Sequence, residues 1–448
     1  MAFLDDSPKT AFCLGVAAIS LMCAHAHAAP KETVLASLTV KAGADPVASL
    51  IRDKAGNLYG TASYGGNSTS ASGTVFKLSP PAAGKTAWTQ TVLVDFDGKN
   101  GQSPSGNLIA DSDGNLYGTT SYGGTFNQGT VFKLSPPAAG KTKWRLKLLF
   151  SFKGIDGAQP YAGLLADKAG NLYGTTAGGG PDFGIGNAYA NGSGTVFKLA
   201  PPASGKTDWT EKVLFSFAVT NSLGQHAYGQ DPFGSLIADR AGDLYGMTSI
   251  GGTGNGLYGG TAFRLAPPAD GQTAWTATVL YQFNPAAGTQ PFGTFLADHA
   301  GNLFGTTNHG GASGPGGGGT VFELSPPAKG QRAWTETVLF SFSNQASGFG
   351  NYGSLIADSA GNLYGTAEYG GPGPYNDGVV YKLAAPVAAK TAWTQTVLAT
   401  FRGPNGCYPA AGLITDNAGN FYGTTTIGGG RSGCNVAYGN GVVFKLTP

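Results

Sequence analysis

Charge is what this chain has least of. Charged residues fill 12% of its 448 positions, with 27 Lys and Arg against 25 Asp and Glu, where an ordinary soluble protein has roughly 25%. A net charge of +2 spread this thinly leaves no concentrated basic face, which argues against a nucleic-acid partner. Histidine (5), methionine (3) and cysteine (4) are scarce as well. Their spacings match no metal-site pattern, so neither a metal nor a cofactor is expected. Long apolar runs are also lacking: the longest, Ala11 to Ala24 (AFCLGVAAISLMCA), has 14 residues, short of the roughly 20 that a membrane-spanning helix needs. Beyond that run no window carries a convincing 3.6-residue period. No GxSxG nucleophile stands in a strand-to-helix setting.

The N-terminal apolar run follows Lys9 and leads into Ala26-His27-Ala28, a small-x-small cleavage pattern. It reads as a secretory signal peptide over residues 1–28, with Asp5 and Asp6 making its first part atypical. Lipidation of Cys23 is the alternative, although Ser20-Leu21-Met22 before it fits that poorly. The protein is therefore expected to be secreted or periplasmic, with no membrane span after cleavage and residues 29–448 as a single domain. Cleavage removes Cys13 and Cys23. Cys407 and Cys434 remain, and an even pair in an exported chain predicts a disulfide.

What the chain has in abundance is glycine (74) and proline (26), yet 41% apolar residues with 25 Phe, 19 Tyr and 6 Trp exclude disorder. The glycines are periodic. A DxxGNLYGTT string recurs with its first glycine at Gly56, Gly114, Gly170, Gly242, Gly301, Gly361 and Gly419. Each unit holds four short strand-like pieces bounded by turn residues: A (SLIAD), B (NLYGTT), C (TVFKL) and D (TVLFSF). Such units predict an all-β fold, a seven-bladed β-propeller with four antiparallel strands per blade. The chain opens on a lone D-type piece, Glu32 to Leu38 (ETVLASL), and ends on a C-type piece, Val442 to Leu446. A ring closed by the N-terminal strand explains that split. A string of small β domains is the alternative, each too small to bury a good core.

A residue present in every blade is structural, because one site does not need seven copies. This removes the seven Asp of the A-to-B turns (Asp53 to Asp416), the six Trp of the C-to-D connectors, expected to cover blade edges, and the B-strand tyrosines. In an antiparallel meander the B-to-C and D-to-A loops share one face, and here these are the variable loops, where binding residues are expected. The residue in the P-x-(G/A) slot before strand A is Val47, Ser105, Tyr161, Phe233, Phe292, Tyr352 or Ala410. Tyr161, Phe233, Phe292 and Tyr352, with Tyr369 from a B-to-C loop, are therefore candidate ligand contacts at the channel mouth. The competing reading is that these rings wedge between blades. Non-repeated acid–base residues on this face are Asp97, Asp156, Asp182, Asp231, Glu368, Asp377, His226 and His309. Glu368, His309 and Asp231 are the catalytic candidates, Glu368 and His309 being expected neighbours. Two carboxyls roughly 5 to 10 Å apart would suit glycoside hydrolysis.

The GNLYGTT, GG and GTVFKL strings of all seven units resemble the GloVer (choice-of-anchor) tandem-repeat family of bacterial exported proteins. More loosely, GSLIADxxGNLYG is similar to NHL-type propellers. The resemblance implies an exported or surface-associated repeat protein and transfers no activity. The sequence stops at Pro448 without a sorting tail, so release is expected rather than anchoring. The expected function is a monomeric, non-catalytic binding propeller for an extracellular polysaccharide. A polysaccharide hydrolase or lyase using variable-face carboxylates, and an interaction scaffold for a surface protein, are the alternatives.

Overall fold

The computed structural model describes residues 30–448 except 185–190, 219, 221–225, 253–258, 344, 373–375, 387–391, 431–433 and 435–439. The expected signal peptide, with Cys13 and Cys23, lies outside the described residues. Every repeat forms one four-stranded antiparallel sheet, and there are seven. Blade two is representative: Ile109–Ala110 innermost, then Leu116–Thr120, Thr130–Ser135 and Arg145–Ser151 at the outer edge. The seventh sheet takes its outer strand from the other end of the chain. Lys31–Ser37 pairs with Val442–Thr447, from Lys31 opposite Thr447 to Ser37 opposite Val442. Its ladder shifts register between Val34 and Ala36, as the other C–D ladders do at the equivalent place. The N-terminal segment is thus a D strand in register as well as in sequence, and it closes the ring.

The core lies between blades. In each B strand the central glycine faces the aromatic residue of strand C, as Gly118 faces Phe132. A Cβ on Gly118 would stand 2.7 Å from Phe132 Cζ and 3.0 Å from Leu108 Cδ2, so only glycine lets the ring lie flat on the strand. That ring then meets one from the preceding blade: Phe96–Phe132 centroids are 5.3 Å apart and Phe152–Phe197 5.1 Å. Blade six departs from the pattern, for Tyr381 replaces Phe and its fully buried hydroxyl has no hydrogen-bond partner among the described residues. An unsatisfied buried hydroxyl costs roughly 1–3 kcal/mol. Tyr381→Phe is therefore expected to stabilise the protein, raising the midpoint of chemical unfolding; an unchanged or lower midpoint contradicts this.

The tryptophans pack between blades: Trp144 lies on Tyr59, the B-strand tyrosine of the blade before, at 6.2 Å, as Trp275 does on Tyr173 at 6.5 Å and Trp334 on Tyr245 at 6.4 Å. Blade seven has no C-to-D connector, because its outer strand arrives from the N-terminus. Tyr364 of blade six packs on Phe421 instead, at 4.6 Å. Phe421 stands where the other six repeats have leucine, so the one departure at that position compensates for the one missing tryptophan. The repeated aspartates do shape turns. Asp111 accepts bonds from Asn115 N (2.9 Å), Asn115 Nδ2 (2.7 Å) and Tyr117 Oη (3.0 Å). Partial burial works to raise its pKa, but these bonds outweigh it and hold the carboxyl below its ordinary value.

The second residue of strand D is glutamate or glutamine in five blades, and the two behave differently. Gln90 and Gln395 donate to the carbonyls of Ala42 (3.3 Å) and Ser347 (2.7 Å). Glu336 at the equivalent position has one buried oxygen without a partner among the described residues. Burial pushes its carboxyl up to about 7 against a weak opposing bond from Tyr281. The unfolded chain ionises nearer 4.5, so it loses its proton first and stability falls as pH rises from about 4.5 to 7. Glu336→Gln is accordingly expected to melt above the parent protein at pH 8 and together with it at pH 4; a gain of equal size at both pH values contradicts the burial argument.

Candidate functional site

The variable loops meet on one face, as the meander requires. In each blade the D-to-A loop forms a short bridge with the B-to-C loop, for example Gln102 with Tyr122, Thr289 with His309 and Phe349 with Tyr369. Next to each bridge one residue turns the chain inward with a left-handed backbone: Asp45, Ser103, Gln159, Asp231, Gln290, Gly350 and Tyr408, with φ between 52° and 76°. Six of the seven precede proline, which disfavours the right-handed helical alternative. Their carbonyls accept from the backbone just after strand B, namely from Ser63, Ser121, Ala177, Ser249, Asn308, Glu368 and Thr426. Two residues after each left-handed position comes the slot residue. The mouth is thus built from three positions per blade, two of which are joined to each other by a backbone bond.

The slot residues line the channel. With the residues that follow them they line a small cavity of about 100 Å³. Tyr161, Phe233, Phe292 and Tyr352 are half-buried. They form a continuous arc: centroids are 5.0 Å apart for Tyr161–Phe233, 5.2 Å for Phe233–Phe292 and 5.1 Å for Phe292–Tyr352. The Tyr161 and Tyr122 hydroxyls lie 2.9 Å apart, extending the arc by one ring. Below it the blades are locked to each other by Asn107 Oδ1, Thr294 Oγ1 and Ser354 Oγ, which accept from the amides of Ser49, Ser235 and Thr294 at 2.8–3.1 Å.

The acid–base candidates divide by their surroundings. Asp97 and Asp156 accept backbone bonds inside their own loops. Asp182 is held by the hydroxyl of Ser193, which also takes a 3.0 Å bond from Gln230 and lies 3.4 Å from His226 Nδ1. A serine, a histidine and an aspartate converge there, but the serine is fully buried and sits between the other two. In a hydrolytic triad the histidine is central, so this group is a loop clasp. Asp377 lies beside Cys407 and Cys434, which form a disulfide with Cα atoms 6.0 Å apart. Joined to each other, the sulfurs offer no thiolate to a metal.

Asp231 and Glu368 are different, for they stand on the mouth. Burial pushes Asp231 up to about 7, with the charge of Asp182 adding to it. Burial also pushes Glu368 up to about 7; a bond from Tyr369 opposes this and Asp45 reinforces it. The Glu368 side chain is bonded to Tyr369 rather than to His309. His309 instead lines an adjoining groove of about 430 Å³ with Phe349, Tyr352 and Tyr369. Tyr369 continues the aromatic surface, 5.3 Å from Phe349 and 5.2 Å from Tyr408. Asp45 is a third mouth acid that residue typing by eye passes over. Aligning the residue two places before the slot would have found it, since Asp45 and Asp231 occupy that position in blades one and four. Its carboxyl accepts from Ser63 Oγ at 2.7 Å, and burial raises its pKa against that bond.

No described helix is long and apolar enough to cross a membrane. Among curated proteins none matches the chain in sequence. Among solved structures it is similar to a luciferin-regenerating enzyme at 13% identity, covering 94% of this chain and 95% of that one with a TM-score of 0.42. A protein of unknown function from Dyadobacter fermentans is similar at 11% identity, covering 93% and 98% with a TM-score of 0.42. The Gloeobacter/Verrucomicrobia repeat matches residues 25–221 and 186–436. Those two spans overlap and take in nearly every blade of the ring, so the chain belongs to the Gloeobacter/Verrucomicrobia repeat family.

Proposed function

We propose that this is an exported, non-catalytic binding propeller that takes an extracellular polysaccharide across its channel mouth. The observation that carries the reading is the arc of four half-exposed rings in mutual contact on the face where the variable loops gather. The disulfide supports export, because such bonds persist in oxidising compartments. Each ring covers roughly 50 Å² of a sugar's apolar face, on the order of 1 kcal/mol at about 25 cal/mol per Å². Association entropy and chain ordering oppose that gain. Affinity is therefore expected to be weak, roughly millimolar to high micromolar, and to tighten with oligomer length.

Replacing both Phe233 and Phe292 by Ala removes the middle of the arc and should weaken binding about 10- to 30-fold, two rings at about 1 kcal/mol each. Calorimetric titration of the parent and the double variant with oligosaccharides of two to six units measures this; equal affinities contradict the proposal. One observation favours a second reading. Glu368 holds its proton near neutrality with the Asp45 charge nearby, as a general acid would. A polysaccharide panel scored for new reducing or unsaturated ends separates the two. Binding without product supports the binding module, whereas product that disappears in Glu368→Gln supports a hydrolase or lyase.

A further inference from the structure

We infer that the saccharide preferred by the mouth carries protonated amines, that is, an amino-sugar polymer with free ammonium groups. This deepens the polysaccharide reading and rests on it. The three positions per blade that frame the mouth include three carboxylates, Asp45, Asp231 and Glu368, and no lysine, arginine or histidine. The whole chain is balanced at 27 basic to 25 acidic residues, so the one-sided charge belongs to the mouth and not to the composition. The acids also sit beside the arc: Asp231 lies two residues before Phe233, and the Glu368 amide donates to the Gly350 carbonyl, two residues before Tyr352. Asp45 is the mouth acid of blade one, where the slot residue is Val47 and not a ring.

Two physical preferences coincide at this place. An aromatic face presents negative charge and attracts cations, more strongly where water is displaced. Half-buried carboxylates are poorly solvated and gain from a positive partner. An ammonium favours the ionised form of these acids and gains from it, whereas a uronate disfavours that form and a neutral glycan leaves it uncompensated. A sugar ring with an ammonium substituent satisfies both features at once, its flat face on a ring and its charge toward a carboxylate. A lysine-rich peptide shares the charge but not the flat face, and the arc favours the sugar.

The test is calorimetric titration at pH 7 and low salt with hexamers of glucosamine, N-acetylglucosamine, glucose, galacturonate and lysine. The expected result is that the glucosamine hexamer binds at least tenfold more tightly than the two neutral hexamers. That preference should shrink in 0.5 M sodium chloride, galacturonate should not bind, and hexalysine should bind more weakly than hexaglucosamine. In the Asp231→Asn/Glu368→Gln variant the ratio of amino to neutral affinity should fall toward one, a readout that a general loss of structure does not mimic. Equal binding of amino and neutral hexamers overturns the inference and leaves the polysaccharide reading standing. Hexalysine binding as tightly as hexaglucosamine also overturns it, in favour of a cationic-peptide site. Failure of every saccharide to bind overturns both.

Discussion

A chain lacking Glu32 to Leu38 is expected to lose its cooperative unfolding transition and to be recovered mainly as aggregate. The deletion strips blade seven of its outer strand and leaves Val442–Thr447 as an open edge, a template for pairing with other chains. It also removes Leu38, which is fully buried in a cluster with Leu50, Leu58 and Phe76 of blade one. Losing a buried leucine costs about 2–5 kcal/mol, and the ladder bonds of the strand contribute roughly 1 kcal/mol each. The total is on the order of 5–10 kcal/mol, as large as the whole stability of an ordinary domain. Sedimentation and thermal melting of the purified deletion variant measure it. A soluble, monomeric protein that melts with the parent would show that the ring does not depend on its closing strand.

The next largest effect is expected from Cys407→Ser/Cys434→Ser. The disulfide joins the D-to-A and B-to-C loops of blade seven across a separation of 27 residues. Closing a loop of that length removes unfolded-state entropy worth about 3.5 kcal/mol when the bond is unstrained. Cys407 is fully buried and its backbone bridges Ile427, beside the mouth residue Tyr408. The variant is therefore expected to unfold at lower denaturant than the parent, and reductant should lower the parent's midpoint while leaving the variant's unchanged. Two free thiols in peptide maps of oxidised parent protein, or coincident denaturation curves, would contradict this.

Much of the architecture was legible because the chain states it seven times. The repeat spacing gave blade number, and the stray ETVLASL segment gave closure, since a strand can complete a distant blade only in a ring. The partners of the tryptophans were hidden because they lie on the blade before: Trp144 finds Tyr59, 85 residues back in sequence, across an interface that no local pattern records. The same holds for Phe421, whose departure from leucine makes sense only beside Tyr364. At the mouth, alignment of the blades located the four rings, but not that each lies tilted against the next. Asp45 was passed over although Asp231 holds the same position in blade four, because its place beside the mouth shows only once the slots are aligned. The unpartnered hydroxyl of Tyr381 is likewise invisible from sequence, because tyrosine for phenylalanine looks conservative until burial is known.

The measurement that bears most directly on the account is hydrogen–deuterium exchange of the parent protein with and without a saturating, partly deacetylated amino-sugar polymer. Added protection is expected in the D-to-A and B-to-C loops of blades three to six, around Tyr161, Phe233, Phe292, Tyr352 and Tyr369, with the A-to-B turns on the opposite face unchanged. Protection confined to those turns, or no protection for any polysaccharide that binds, would contradict the assignment of function to the channel mouth.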